Sequence, residues 1–517
     1  MMIAAAALLL AGLRSGAQVY VATDKQAYIA GDMVWCSAFC ADSNAVAYLE
    51  LRSTEAVGQT SRIALDRGRG AGGFQIPLTV PSGNYKLVAY TDCAKLADGY
   101  DFYAGSKTIS IYNTLSGERV KDGVELTDGA PMRPLSSSSA GISVEVADSV
   151  TIRNTSGSKI SFSLSMYRQD SLEPSSYSSI ATADLRPLGV AQRERTGEIV
   201  RGRLAGKDAA ALAGDIGLTA FISVPGDKYC VYTSCISPEG TVEFHTDNIY
   251  RDRDLVCQID GLEKGADCHF SPDSPFVAPA PASVDPLPLS RKMDADLVRR
   301  TRAMQAEQQG IADTLYESLP MHRDHILLAD ECKTYVLDDY VRFPTMKELF
   351  VEIIPEMHVR GKAGRQRVSV LVHDPKNTRV APRWGNSLMM IDGVPVFDHE
   401  LFMNYDPALV KAVEVYPSVY SFGDRSYEGV ANFVTFKGNM PSIAFDDNVR
   451  IFDFRGAAVP MSYRGRETVI WEPLLELEAG QTLRFDRSSL EDGVQYNIVV
   501  EGLTETGRTV YARKNIR

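Results

Sequence analysis

His322 and His325, in MHRDHILLADE, place two imidazoles at i and i+3, with Asp324 and Asp330 close by in the chain. That spacing suits a metal only if at least a third ligand converges on it. Without one, the pair reads as solvated or helix-capping. Asp338-Asp339, in VLDDYVRF, offers two carboxylates either to calcium or to Arg342, and adjacency alone does not choose between them. Asp392 follows an apolar run and invites a catalytic reading, but Asp-Gly turn formation with Gly393 accounts for it. The chain has no Gly-x-Ser-x-Gly elbow, no phosphate-cradling loop ending in Lys-Ser or Lys-Thr, and no His-Glu-x-x-His. No catalytic, cofactor-binding or metal residue is assigned.

The eight cysteines make a poor disulfide framework. Cys36 and Cys40 share a face of an apparent strand, about 13 Å apart when extended, which no bridge spans. Cys257 and Cys268 flank the turn-rich QIDGLEKGAD and form the one candidate pair across a hairpin. Cys93, Cys230, Cys235 and Cys332 read as buried small apolar residues. No Cys-x-x-Cys supports a zinc ribbon or a redox pair. The three Trp and 23 Tyr are spread through apparent strands and form no sugar-binding platform.

The elements that must carry these residues are mostly strands. A length of 517 residues with 44% hydrophobic content suits several globular domains with sizeable cores. The net charge of −12 argues against nucleic acid as a partner. Residues 1–17 read as an export signal, with Ile3 to Leu13 apolar and Ser15, Gly16 and Ala17 small. Cleavage after Ala17 would leave Gln18 first, and no Cys follows to take a lipid. No other apolar run reaches the ~18 residues of a membrane span.

Residues 18–113 alternate strands with turns: VYVAT (19–23), DMVWCSAFC (32–40), AVAYLELRS (45–53), GFQIPLTV (73–80), YKLVAYT (85–91) and SKTISIYN (106–113). The glycine-rich GRGAGG (68–73) reads as one of the turns. This spacing predicts a β-sandwich. Thr23-Asp24-Lys25, Tyr28, Gly31-Asp32, Val34-Trp35, Pro81-Ser82-Gly83 and Ala89-Tyr90-Thr91 resemble the second macroglobulin-type domain of alpha-macroglobulins. The thioester protease trap of that family needs a Gly-Cys-Gly-Glu-Gln type motif, which is absent.

Residues 114–140, rich in Ser, Gly and Pro, read as a linker. A β domain at 141–197 follows, then a second at 198–271 whose strand–Pro-Glu-Gly–strand unit (238–240) resembles a prealbumin or carboxypeptidase-regulatory sandwich. A proline-rich bridge and helix occupy 272–334. Met293, Leu297, Met304, Ile311 and Leu315 give a narrow apolar stripe, interrupted at Gly310, that reads as packing on a neighbouring domain, the alternative being a surface for a partner helix.

At 335–440, Thr345 and Glu348 form a capping box and Pro355 stops the helix. RVSVLVHD (367–374) and NSLMMIDG (386–393) read as core strands. Asp392-Gly393 turns into Val394-Pro395, and Asp406 caps a short helix with Pro407 first. Two more strands close the sheet, through Gly423, Gly429, Lys437 and Gly438. This order resembles the plug domain of TonB-dependent outer-membrane receptors, with His373-Asp374-Pro375 standing where plugs carry Arg-Gly. A receptor barrel of about 22 strands needs roughly 200 residues, so residues 439–517 are expected to hold none. Residues 441–517 read instead as a terminal β-sandwich.

The fold class expected is multidomain and mainly β, with macroglobulin or immunoglobulin-like sandwiches, one α+β plug-like domain and a helical connector. The combination resembles exported proteins of the Bacteroidota. It implies a non-catalytic scaffold of the cell envelope, in the periplasm or at the outer membrane. Its partners would be envelope proteins, including an outer-membrane barrel, and it would have no membrane span of its own. Two alternatives stay open: a hydrolase whose site assembles only in three dimensions, and a surface protein binding carbohydrate or peptide.

Overall fold

The computed structural model describes residues 16–516 apart from 56, 97–103, 129–135, 175–177, 190, 227–228, 278–280, 312–313, 320–331, 363, 373–382 and 487–489. The export-signal reading therefore lies almost wholly outside the described residues, as do His322, Asp324, His325, Asp330 and His373-Asp374-Pro375. The described chain is mainly β and builds four cores.

The first sandwich sets a five-stranded sheet, in the order Ala27–Ile29, Gly105–Tyr112, Gly83–Tyr90, Val46–Arg52 and Val57–Ala64, against a sheet of Val19–Thr23, Met33–Cys40 and Arg69–Gln75. Inward residues such as Val21, Val34, Leu49, Leu87 and Ile111 fill the space between them. Of the GRGAGG stretch only Gly68 lies in a turn, paired with Arg67 at φ of +75° and +49°, and Arg69–Gln75 is a strand. A Cβ at Gly70 would collide with the Ala64 carbonyl, and one at Gly73 would sit 2.9 Å from the Trp35 ring. Glycine is there for close approach, and the strand ends at Gln75 rather than running to residue 80. Strand Val57–Ala64, not anticipated from sequence, completes the larger sheet.

The second sandwich is split along the chain. Strands Ile142–Val146 and Ser149–Asn154 form one sheet with Thr482–Asp486. Ile160–Arg168 lies in a seven-stranded sheet between Thr468–Leu477 and Tyr496–Thr504. The segments read as separate modules at 141–197 and 441–517 thus share one core, with Ile152, Phe162 and Leu164 packed on Ile470, Ile498 and Val500. Ser137–Ser138 and Leu315–Ser318 form the outer edges of the larger sheet, and Val124–Leu126 runs parallel to Leu287–Leu289. The 114–140 stretch is therefore partly built into sheets.

The third sandwich packs Thr241–His245, Ile199–Ala205 and His269–Pro272 against Cys230–Ser234, Thr219–Val224, Asp252–Asp260 and Arg450–Arg455. Its last strand also comes from the terminal segment. Cys230–Ser234 and Thr241–His245 lie in opposite sheets, so Pro238-Glu239-Gly240 crosses between layers and closes no hairpin. Cys257 likewise lies in a strand of one sheet, and Cys268 just before a strand of the other. All eight cysteines are free, with Cys235 exposed and Cys332 half-buried rather than in a core.

The α+β unit has a five-stranded sheet in the order Lys333–Val336, Val410–Phe422, Arg425–Thr435, Leu388–Ile391 and Val394–Pro395. A smaller sheet and the helices Met346–Glu352 and His399–Met403 cover one face, burying Leu349, Phe350, Val370 and Phe402. Thr345 accepts the Glu348 amide at 3.3 Å, as the capping box requires.

The connector helix, Asp294–Gln308, lies on the first sandwich through Met293 and Met304. Arg300 clamps it there, paired with Asp170 at 2.5 and 2.9 Å and donating to the Ala27 carbonyl at 2.6 Å. The apolar stripe does not extend past Gly310, whose φ of +66° ends the helix. Ile311 and Leu315 beyond it are 72% and 61% exposed. Among the described residues, no helix is long and apolar enough to cross a membrane.

Candidate functional site

The plug-motif residues sit mostly at one junction. Asp392 and Gly393 take φ of +48° and +83°, the left-handed pair of a tight two-residue turn. The Asp392 carboxylate is buried and accepts from Thr435 N and Oγ1 at 2.7 Å each and from Met440 N at 2.8 Å. Those three bonds hold the sheet end together. Gly393 meets the third sandwich, where a Cβ would collide with Tyr229. The Pro395 carbonyl accepts from Gln258 Nε2 at 2.8 Å, and a Cβ at Gly423 would lie 2.6 Å from Thr233 Oγ1. Gly429 instead lets its strand approach Val370 of the unit's own second sheet. Asp406 caps Ala408 N at 2.9 Å with Pro407 at the first position. Gly438 donates to Thr435 Oγ1, and Lys437 is exposed.

An apolar seam runs through this junction. Phe221, Tyr229 and Val231 of the third sandwich pack on Leu388, Met390, Tyr416, Tyr427 and Val430. Arg425 Nε reaches Thr219 Oγ1 at 3.0 Å, and Thr219 Oγ1 also donates to Asp424 Oδ1 at 3.0 Å. The larger sheet of the α+β unit is thus covered on both faces by its own chain.

Beside that junction opens a concavity of about 1140 Å³, between the first sandwich, the third sandwich and the loop at Gly438 and Asn439. Arg62, Lys95, Arg201, Arg253 and Arg455 supply its cations, and Glu198, Asp252, Asp254, Asp273 and Asp453 its carboxylates. The inner charges pair between sandwiches. Arg201 grips Asp92 bidentately at 2.5 and 2.7 Å and reaches Glu243 at 3.0 Å. Burial raises the Asp92 carboxyl, but the Arg201 bonds outweigh it, and the net pKa is below the usual carboxylate value. Arg62 pairs with Glu198 across the same junction at 3.0 Å. Behind them Glu194 is buried, accepting from Tyr48 Oη at 2.7 Å and Ile199 N at 3.2 Å. Burial pushes its carboxyl up to about 8, and Glu198 is also raised by burial.

Other sequence candidates stay apart from this cleft. Arg342 takes Asp338 as an ion-pair partner and donates to the Val410 carbonyl at 2.6 Å. Among the described residues no three His, Cys, Asp or Glu side chains converge as a metal site would need. Among the described residues, the exposed large aromatics are Tyr316, Tyr340 and Phe436. Sequence reading missed the cleft because its partners lie far apart in the chain, such as Asp92 and Arg201. The available signal was charge at inward strand positions, as at Arg62 and Arg201.

No protein-family model and no curated protein matches the chain. Among solved structures it is similar to a Salmonella alpha-2-macroglobulin reacted with methylamine, at 9% identity and a TM-score of 0.16, covering 97% of this chain and 23% of that one. The native conformation of an E. coli alpha-2-macroglobulin matches at 10% identity and 0.16, covering 96% and 22%. The E. coli protein activated by porcine elastase matches at 10% and 0.16, covering 96% and 53%. The chain thus spans less than a quarter of the first two. The plug resemblance rests on the sequence pattern alone.

Proposed function

We propose that this chain is a non-catalytic, exported scaffold of a bacterial cell envelope that binds other proteins at its interdomain cleft. The observation that carries the reading is the double coverage of the α+β sheet. A plug-like module whose faces are occupied by its own helices and by the third sandwich acts as a fixed part of a frame. On this reading docking to an outer-membrane barrel uses the frame's outer surfaces and not the sheet. The inner charges of the cleft support the same view, since they join one sandwich to another.

A second reading, a hydrolase, draws on the raised carboxyls of Glu194 and Glu198. Glu194 is 1% exposed and bonded to Tyr48, an arrangement better suited to fixing a junction than to meeting a substrate. Crosslinking in intact cells, followed by envelope fractionation, tests the scaffold reading. Reproducible capture of defined envelope proteins is expected, and recovery only as a free monomer would overturn it. Turnover of peptide or glycoside substrates that is lost in Glu198→Gln would favour the hydrolase.

A further inference from the structure

Arg62 stands out among the cleft's cations because two of its three guanidinium nitrogens are buried without a hydrogen-bond partner. It is 4% exposed, yet Nη1 has no hydrogen-bond partner, and Nε meets Glu198 at ion-pair distance without hydrogen-bond alignment. Arg201 and Lys95 differ. Arg201 is held by Asp92 and Glu243, and Lys95 donates to the Pro275 carbonyl at 2.9 Å. A buried guanidinium with idle N–H groups carries a desolvation cost that an acceptor entering the cleft would relieve. The guanidinium carbon lies 4.6 Å from the ring centre of Phe454 and 5.2 Å from that of Phe276, which places the cation against an apolar wall.

Phe454 belongs to Arg450–Arg455, the last strand of its sheet. That strand pairs with Asp252–Asp260 on one side. Among the described residues, no backbone group of Ile451 to Arg455 is bonded on the other. In register across the pair, Asp453 stands opposite Asp254, two like charges that repel at that spacing. Residues 452–455 line the cleft together with Arg62. A free strand edge, an under-used cation and a carboxylate pair therefore meet in one place.

We propose that this cleft takes an extended peptide segment of a partner protein, added as a further strand beside Arg450–Arg455, with a peptide carboxylate on Arg62 and a basic side chain at Asp254 and Asp453. Phe454 and Asp453 point to opposite faces of their strand, and an added strand alternates in step. The acidic and basic groups of the ligand then fall at adjacent positions. The carboxylate is either an Asp or Glu side chain or a chain terminus. This assignment rests on the scaffold reading and specifies its partner.

The test is selection of random nine-residue peptides on the purified full chain, with one library displayed internally and one with free C-termini. Sequences pairing Asp or Glu with an adjacent Lys or Arg are expected from the internal library if a side chain binds. A terminal carboxylate with a basic neighbour is expected from the other library alone if the terminus binds. Arg62→Gln is expected to weaken the selected peptides at least tenfold. Because Arg62 is buried, Asp453→Lys, at an exposed position, provides a second variant, expected to weaken them at least fivefold with the melting temperature kept. Absence of any such enrichment overturns the proposal, as do peptides that bind both variants as tightly as the parent. Undiminished capture of envelope partners by Asp453→Lys in cells would remove the cleft assignment and leave the scaffold reading standing.

Discussion

Asp24 and Thr468, 444 residues apart, are joined by a 2.7 Å hydrogen bond from the threonine hydroxyl to Asp24 Oδ2 in a fully buried setting. The same carboxylate accepts from Tyr28 Oη at 2.8 Å and Trp35 N at 3.2 Å, and Lys25 Nζ lies 3.1 Å away. The Thr23-Asp24-Lys25 segment of the first sandwich is therefore a joint to the second. Asp24→Ala leaves the buried Lys25 without its nearest counter-charge and is expected to cost about 3–5 kcal/mol. Thr468→Val is expected to cost about 1–2 kcal/mol. Denaturant midpoints of both single variants and the double variant measure their coupling. Additivity to within ~0.3 kcal/mol would show that the bond does not link the sandwiches.

Removing residues 461–517 takes away the strands that flank Ile160–Arg168. Hydrogen exchange is expected to show amides of 142–168 losing protection, while those of the α+β unit keep theirs. Retained protection at 142–168 would mean that this segment folds on its own.

Gly393→Ala adds a methyl group at a φ of +83° and against Tyr229. The expected cost is about 2–4 kcal/mol, of which about 1–2 kcal/mol is backbone strain. Adding Tyr229→Ala removes the collision and not the strain, so the further effect of Gly393→Ala should shrink in that background. An unchanged effect would place the whole cost in the backbone.

Glu194 gives stability a pH dependence of definite sign. Its carboxyl rises from the ordinary 4.5 to about 8 on folding, mainly through burial. The folded state thus holds the proton more tightly, and stability is greatest below about pH 4.5 for this group. It falls as pH rises toward 8 and is level above that. The loss is of order 2–5 kcal/mol. Urea melts at pH 5, 6.5 and 8 should show the decline, and Glu194→Gln should lessen it, leaving the part that comes from other carboxyls raised by burial, such as Glu198. An equal decline in the variant would assign it elsewhere.

Local features were legible in the sequence because short-range chemistry decides them. The Thr345 cap, the Asp392-Gly393 turn, the Pro407 helix start and most strands of the first sandwich follow from neighbouring residues. Partner choice was not legible. Nothing near Phe162 announces that Val500 will pack on it, because any apolar alternating strand would serve. The glycines at 70, 72 and 73 read as a turn because their reason lies in the bulk of neighbours such as Trp35. The cleft escaped for the same cause: Arg62 and Glu198 acquire meaning only when two sandwiches meet.

The splitting of the second sandwich has a consequence for how the protein is made. A chain delivered from its N-terminus presents Ile142–Arg168 long before Thr468–Ile516 exists to pair with it. Asn154 Nδ2, for instance, must wait for a carbonyl 323 residues later, that of Leu477. During that interval an apolar strand surface stands uncovered, the state most prone to aggregation. The α+β unit, wholly contained in the intervening stretch, can fold meanwhile and shorten the loop left to close. Biogenesis is then a matter of timing, with Thr468–Leu477 and Tyr496–Thr504 acting as the clasp that covers this surface.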